Sequence, residues 1–294
     1  MDTNLIEVFE KFNSEERCRE YLELLRWPSG VCCVRCGNVS VSKLEKRHQY
    51  ECNGCRYQFS ATAGTVFHDS HLPLWKWFLA AYLICESKKG ISANQIKRTL
   101  GISYKTAWYL CHRIREAMKS DTSEKLKGIV EADETFIGGD YDRRRKRNPH
   151  EKPCVVGVIQ RGGPVRARKL ISRGARAIAG YVRESVEPGA RVMTDEYAGY
   201  KKVGAAYDHQ TVRHKKLEYA AGLVHTNSIE NFWSLFKRGM VGSFHKISEK
   251  HLDRYLDEFT YRFNGREDDR LFQNTVRNLV NGKTLTFEKL TRTA

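Results

Sequence analysis

The segment Gly128-Ile-Val-Glu-Ala-Asp-Glu-Thr-Phe-Ile-Gly138 constrains the fold more than any other stretch of the chain. Ile129, Ala132, Phe136 and Ile137 give it the character of a short buried strand, yet Glu131, Asp133 and Glu134 lie among them. A carboxylate on a buried strand is costly unless a cation or a set of donors meets it. The pattern returns in Ala190-Arg-Val-Met-Thr-Asp-Glu-Tyr197, where Asp195 closes an apolar strand, and Glu230 lies on the helical segment Ser228–Arg238. Taken singly, each acid reads as a solvated strand end or the partner of a nearby arginine. Together, Asp133, Asp195 and Glu230 suit a pair of Mg²⁺ (or Mn²⁺) ions, which prefer carboxylate oxygens and keep positions open for water and phosphate. Strand alternation puts Glu131 on the face of Asp133 and Glu134 on the other, so Glu134 is expected to be a bystander.

Phosphate is the anion that the charge implies. The 51 Lys and Arg outweigh 35 Asp and Glu, for a net charge of +16, which points to a polyanionic partner. The excess is concentrated: residues 141–176 hold twelve basic and two acidic side chains. Within them, Arg143, Arg144, Arg145, Lys146 and Arg147 form a loop beside the acids, suited to gripping DNA without sequence choice. A targeting tag or a simple charge patch is the plainer alternative for such a run.

Nine cysteines are present, and four fall in Cys33-Val-Arg-Cys36 and Cys52-Asn-Gly-Cys55, fifteen residues apart. Two such turns complete a tetrahedral site for one structural Zn²⁺, with Val39, Val41, Leu44 and Tyr50 supplying hairpin strands between them. Free thiols on a bare hairpin are the alternative, but so small a segment has little core without metal. Cys32 is left without a role. Zinc-bound thiolates, no signal peptide after Met1, and an apolar stretch (Leu72 to Cys85) too short to span a bilayer and interrupted by Lys76 fit a cytoplasmic chain with no membrane partner.

Residues 5–26 carry an amphipathic helical pattern that stops at Trp27-Pro28, and residues 73–86 read as a buried helix behind Pro73. Ser92 caps a short helix stopped by Gly101, and Ser103 caps a second one through Met118. The pair suits a helix-turn-helix in which Lys105, Arg113 and Arg115 lie on the second helix and Lys105 is nearest the base edges; an ordinary helical hairpin is the alternative. After a polar linker at 120–127, strands are expected at 128–137, 153–160, 165–171 and 191–194, with a helix at 175–186, which makes a mixed α/β sheet. The third strand has a basic face. The expected organisation is a helical segment (1–30), a zinc ribbon (31–62), a helix-turn-helix region (72–119), a catalytic core (128–245) and a C-terminal helical segment (246–294) whose stripe at Leu252, Tyr255, Leu256 and Phe259 precedes a polar tail.

These motifs, in this order, resemble bacterial insertion-sequence transposases of the IS1595 (ISXO2-like) family. The resemblance rests on Ala63-Gly-Thr-Val-Phe-His68 and Leu72-Pro-Leu-Trp-Lys-Trp77 after the ribbon, Glu131–Gly139, Thr194-Asp-Glu-Tyr197 and His225–Arg238. It implies a ribonuclease-H-like core with an acidic triad, here Asp133, Asp195 and Glu230; some relatives carry Asn or His at the third position, and Asn231 is the alternate. It also implies DNA contact near the cut by Lys237, two helical turns beyond Glu230, with Arg238 beside it. The implied activity is metal-dependent cleavage and joining of double-stranded DNA at the element's terminal repeats and at a target. Two ends must meet, so a homodimer or larger synaptic assembly is expected, working at the bacterial nucleoid. A regulator with a dead core, or a nuclease that cuts without joining, are the rival readings.

Overall fold

The computed structural model describes residues 4–119, 123–138, 152–204, 206–212 and 224–292. The basic run Arg143, Arg144, Arg145, Lys146 and Arg147 lies outside them. In chain order the elements are α1 (Leu5–Phe12), α2 (Glu15–Arg26), β1 (Val41–Leu44), β2 (Gln49–Cys52), β3 (Gln58–Phe59), α3 (Leu74–Glu86), α4 (Ala93–Leu100) and α5 (Tyr104–Ala117). They continue with β4 (Ile129–Phe136), β5 (Cys154–Gln160), β6 (Val165–Leu170), α6 (Ala175–Ser185), β7 (Arg191–Thr194), β8 (Asp208–Thr211), α7 (Asn227–Gly239), α8 (Leu252–Asn264), α9 (Leu271–Asn281) and α10 (Phe287–Thr291). The chain divides into two compact units, Met1–Met118 with Glu267–Ala294, and Lys119–Arg266.

In the first unit the amphipathic stretch at 5–26 is two helices rather than one. Asn13 ends α1 and the Ser14 hydroxyl accepts from the Arg17 N–H at 3.2 Å, starting a new helix where a continuous stripe suggested none. The ribbon is a three-stranded antiparallel sheet, β1-β2-β3, over which Trp27 packs edge-on against Tyr50 and Phe59. Ser92 and Ser103 cap α4 and α5 as their positions suggest, through the N–H groups of Gln95 and Thr106 at 3.1 Å each. Gly101 takes the left-handed conformation (φ +60°) between them, which a glycine adopts without Cβ strain. The segment read as a polar tail forms α9 and α10. Phe272, Val276 and Leu279 are buried, and the Phe272 ring lies 6.2 Å from Phe78 of α3. The helical segment expected at 246–294 is therefore divided, because the spacing of these apolar residues buries α9 among the N-terminal helices.

In the second unit a five-stranded sheet runs in the order β6-β5-β4-β7-β8. The pairs β4–β5 and β5–β6 are antiparallel; β4–β7 and β7–β8 are parallel. Alternation along β4 and β5 sends successive side chains to opposite faces. Val130, Ala132, Val156 and Val158 meet Ile178, Ala179 and Val182 of α6 on one face. Val155 and Ile159 meet Ile229, Phe232, Trp233 and Phe236 of α7 and Leu256 and Phe259 of α8 on the other. Because α8 closes that layer, the unit runs to Arg266 instead of ending near 245. β8 was not anticipated: Asp208-His-Gln-Thr211 has no apolar alternation, and only its parallel pairing with β7 makes it a strand. Among the described residues, no helix is long and apolar enough to cross a membrane.

Candidate active site and zinc centre

The sheet topology brings the acids together. β4 pairs in parallel with β7 at Ile129–Arg191, Val130–Val192 and Glu131–Met193, and one residue beyond Thr194 the chain turns at Asp195. Asp133 and Asp195 thus lie beyond the parallel pairing of β4 with β7, on the strand whose other edge pairs antiparallel with β5 from Val130 to Phe136 in the case of Asp133, and just after β7 in the case of Asp195. Crevices at such changes of strand direction are where open α/β sheets bind ligands. One carboxylate oxygen each of Asp133, Glu134 and Asp195 lies within 4.8 Å of the others. Glu134 is therefore part of the cluster and not a bystander on the far face. Among the described residues β7 ends at Thr194 and its pairing with β4 stops at Glu131, so Asp133 and Glu134 lie beyond the paired stretch, level with Asp195.

Crowding shows in the proton affinities. Burial, followed by the charges of Glu134, Asp195 and Glu230, raises Asp133 to about 7. Burial and Asp195 raise Glu134 to about 7. The buried Tyr200 beside them is pushed well above its ordinary value by burial and by the Glu134 and Asp133 charges. Close, half-buried carboxylates that meet no counter-charge among the described residues are what a divalent cation relieves, and three oxygen donors suit Mg²⁺ or Mn²⁺. Glu230 stands outside this tight cluster on the exposed side of α7, where its Oε1 accepts from the Thr226 hydroxyl at 2.7 Å; its charge still contributes to the rise of Asp133. α7 comes this close because Gly157, directly opposite Asp133 on β5, has no side chain to hold Ile229 and Trp233 away.

Sequence reasoning placed Glu131 on the face of Asp133 and gave it no role. It is fully buried. Its carboxylate accepts from the Ser228 N–H at 2.8 Å, the Ile229 N–H at 3.1 Å, the Ser228 hydroxyl at 3.0 Å and Arg161 Nε at 2.7 Å. The apolar surroundings of Glu131 in the sequence were the available signal, but not the identity of partners so far along the chain.

In the first unit the sulfurs of Cys33, Cys36, Cys52 and Cys55 all lie within 4.8 Å of one another. Cys33 and Cys55 are 3.7 Å apart and Cys36 and Cys52 3.6 Å. Tetrahedral thiolates at about 2.3 Å from zinc are separated by about 3.8 Å, so the cage fits that ion. Burial opposes ionisation of Cys33, yet backbone N–H groups and the neighbouring thiols stabilise its thiolate and bring it down to about 6. No disulfide forms, and Cys32 stands outside the cage.

The basic residues expected to meet DNA have different fates. Lys105 is exposed near the start of α5, its ammonium 4.7 Å from the Phe287 ring centroid. Arg113 is 3% exposed and is corrected to an internal residue. Its guanidinium donates to the carbonyls of Val66 and His68 and lies over Trp77, because this side of α5 faces the core. Arg115 is buried as well. The basic face of β6 is likewise engaged: Arg166 donates to backbone carbonyls of Glu124 and Ser185, and Arg168 forms a two-pronged pair with Glu184. Lys237 and Arg238 are exposed on the last turns of α7.

Comparison with known proteins agrees with this arrangement. Residues 13–58 match the transposase zinc-ribbon domain of the IS1595 family, and residues 125–264 match the ISXO2-like transposase domain. A protein in transposable element ISH50 of Halobacterium salinarum is 29% identical over 273 residues, covering 85% of this chain and 91% of the relative. A transposase-like protein of Haemophilus influenzae is 32% identical over 87 residues, 29% of this chain and 69% of the relative. With its ribbon cysteines caged, Asp133 and Asp195 converged and both family domains in order, this chain belongs to the IS1595 family of transposases.

Proposed function

We propose that the protein is a DDE-type transposase that binds the ends of an insertion sequence and catalyses metal-dependent DNA cleavage and strand transfer. The observation that carries this reading is the convergence of Asp133, within β4, and Asp195, just after β7, from adjacent parallel strands. The strand order β6-β5-β4-β7-β8, antiparallel on one side of β4 and parallel on the other, supports a ribonuclease-H-like core. Asp133 and Asp195 would hold the divalent ions, with Glu230 as the third acid and Glu134 within the same cluster. Ions held there would supply the Lewis acidity that lowers the pKa of water or a DNA 3′-hydroxyl and that offsets charge on the leaving 3′-oxygen. Burial and crowding favour the protonated carboxyls, and ligand duty requires the ionised form. The caged thiolates hold one structural Zn²⁺, and the ribbon with the α4–α5 helix-turn-helix reads the terminal inverted repeats through exposed residues such as Lys105. Lys237 and Arg238 on α7, and Arg143 to Arg147, supply phosphate contacts. Two copies or more assemble to bring two ends together.

The test is incubation of the purified protein with element ends, Mg²⁺ and a target plasmid. Asp133→Asn and Asp195→Asn should each abolish cleavage and joining while end binding persists, since recognition lies elsewhere. Full activity in either variant overturns the site. Cleavage without joining makes the protein a nuclease of the same fold instead.

A further inference from the structure

Glu131 is a full charge with no exposure, two residues before Asp133 on the same strand face. We propose that it is a positioning residue: its carboxylate caps the first turn of α7 from β4 and thereby fixes Glu230 with respect to Asp133. The inference rests on the reading of Glu230 as a metal ligand given above.

The first turn of a helix leaves its N–H groups without intrahelical partners, and a side chain at the N-cap usually meets them. In α7 the N-cap residue Thr226 does not, because its hydroxyl is turned to Glu230 Oε1 at 2.7 Å. The cap comes instead from ninety-seven residues earlier, where Glu131 Oε2 accepts from the N–H groups of Ser228 and Ile229. A negative charge at this end also complements the helix dipole. Arg161 holds the carboxylate from the other side and is itself fastened to both partners. Its backbone N–H donates to Ile129 of β4 at 3.0 Å, and its Nη2 donates to the His225 carbonyl at 2.9 Å. His225 Nδ1 lies 3.2 Å from Glu131 Oε1. One buried charge therefore joins β4, the start of α7 and the residues leading into it. Glu230 follows directly after the capped N–H groups, and Thr226 holds its carboxylate.

The chemistry calls for an acid and not merely a polar side chain. Glutamine at this position would turn an NH₂ group toward donors, leaving at least one buried N–H without an acceptor and taking from Arg161 the charge of Glu131.

The experiment is calorimetric titration of the full chain with Mn²⁺, without DNA, for wild type, Glu131→Gln, Glu230→Gln and the double variant. Outer-sphere partners of ligands are typically worth about 10- to 100-fold in metal affinity, so Glu131→Gln should weaken Mn²⁺ binding at least about tenfold. The double variant should bind no more weakly than Glu230→Gln alone, a non-additivity that a general loss of stability does not produce. Hydrogen exchange should quicken at residues 228–229 while β5 keeps its protection. If Glu131→Gln does not fold, Ser228→Ala removes one donor and leaves the Glu131–Arg161 pair, and should show a smaller loss with the same non-additivity. Wild-type Mn²⁺ affinity in the folded variant, or losses that add in the double variant, overturn the inference. If Glu230→Gln itself binds Mn²⁺ like wild type, the assignment of Glu230 falls, and the positioning role with it.

Discussion

Gly157→Ala tests whether the approach of α7 to the sheet sets the active site. A Cβ at this position would meet Trp233 Cζ2 at 2.6 Å, Ile229 Cδ1 at 2.9 Å and Trp233 Cη2 at 3.0 Å, against ordinary contacts of 3.4–4 Å. Trp233 and Ile229 are buried between the sheet and their own helix, so relief requires α7 to withdraw by roughly 1 Å. Overpacking of this kind costs about 1–3 kcal/mol. At about 2–4 °C per kcal/mol for a unit of this size, its Tm should fall by roughly 2–12 °C. The same displacement moves Glu230 away from Asp133, and a misplacement of about 1 Å can cost about 100-fold in rate. Differential scanning fluorimetry and Mg²⁺-dependent cleavage of element ends, run on the same preparation, give both numbers. Trp233→Phe, which shortens the clashing ring, should restore part of each loss when combined with Gly157→Ala. A variant that melts with wild type and cuts at the wild-type rate would refute the idea that this contact positions α7.

Metal binding should depend steeply on pH. Burial and neighbouring carboxylates raise Asp133 and Glu134 to about 7, so their protonated forms are favoured in the fold. Their contribution to stability without metal is complete below the ordinary carboxylate pKa of about 4 and is lost as pH rises through about 7. Mn²⁺ must displace those protons, so its affinity and the Tm rise it causes should be larger at about pH 8 than at about pH 6; equal titrations at both would count against the shifts. Cys52→Ser should lower the zinc content measured by elemental analysis and unfold the ribbon, because Cys52 is fully buried at the end of β2; a full equivalent of zinc with an intact ribbon would argue against the four-sulfur site. Arg113→Met should lower stability by about 1–3 kcal/mol through the carbonyls it leaves unmet, with DNA affinity unchanged in the folded protein. Lys105→Ala should do the opposite, sparing Tm and flattening the log–log salt dependence of binding by about 0.9 if it meets one phosphate.

What the sequence determined by itself is what depends on near neighbours. The two Cys-x-x-Cys turns, the serine caps at Ser92 and Ser103, the glycine stop at Gly101 and the apolar runs of β4, β5 and β7 are set within a few residues of chain, where residue type and spacing decide the conformation. The acids stood out for the same reason, as charges inside apolar strands. The tertiary structure decided what those elements do to one another. Alternation along one strand separates Glu134 from Asp133, but the pairing of β4 with β7 brings Asp195 within reach of both. A basic residue at a helix position suited to DNA became internal in Arg113, because the carbonyls of Val66 and His68 lie against that face of α5. β8 exists through its neighbour, and α9 through helices more than 180 residues earlier. Glu131 is the clearest case. Its charge is plain in the sequence, but the amides that justify it belong to a helix ninety-seven residues away, and only the folded chain brings that helix to the strand.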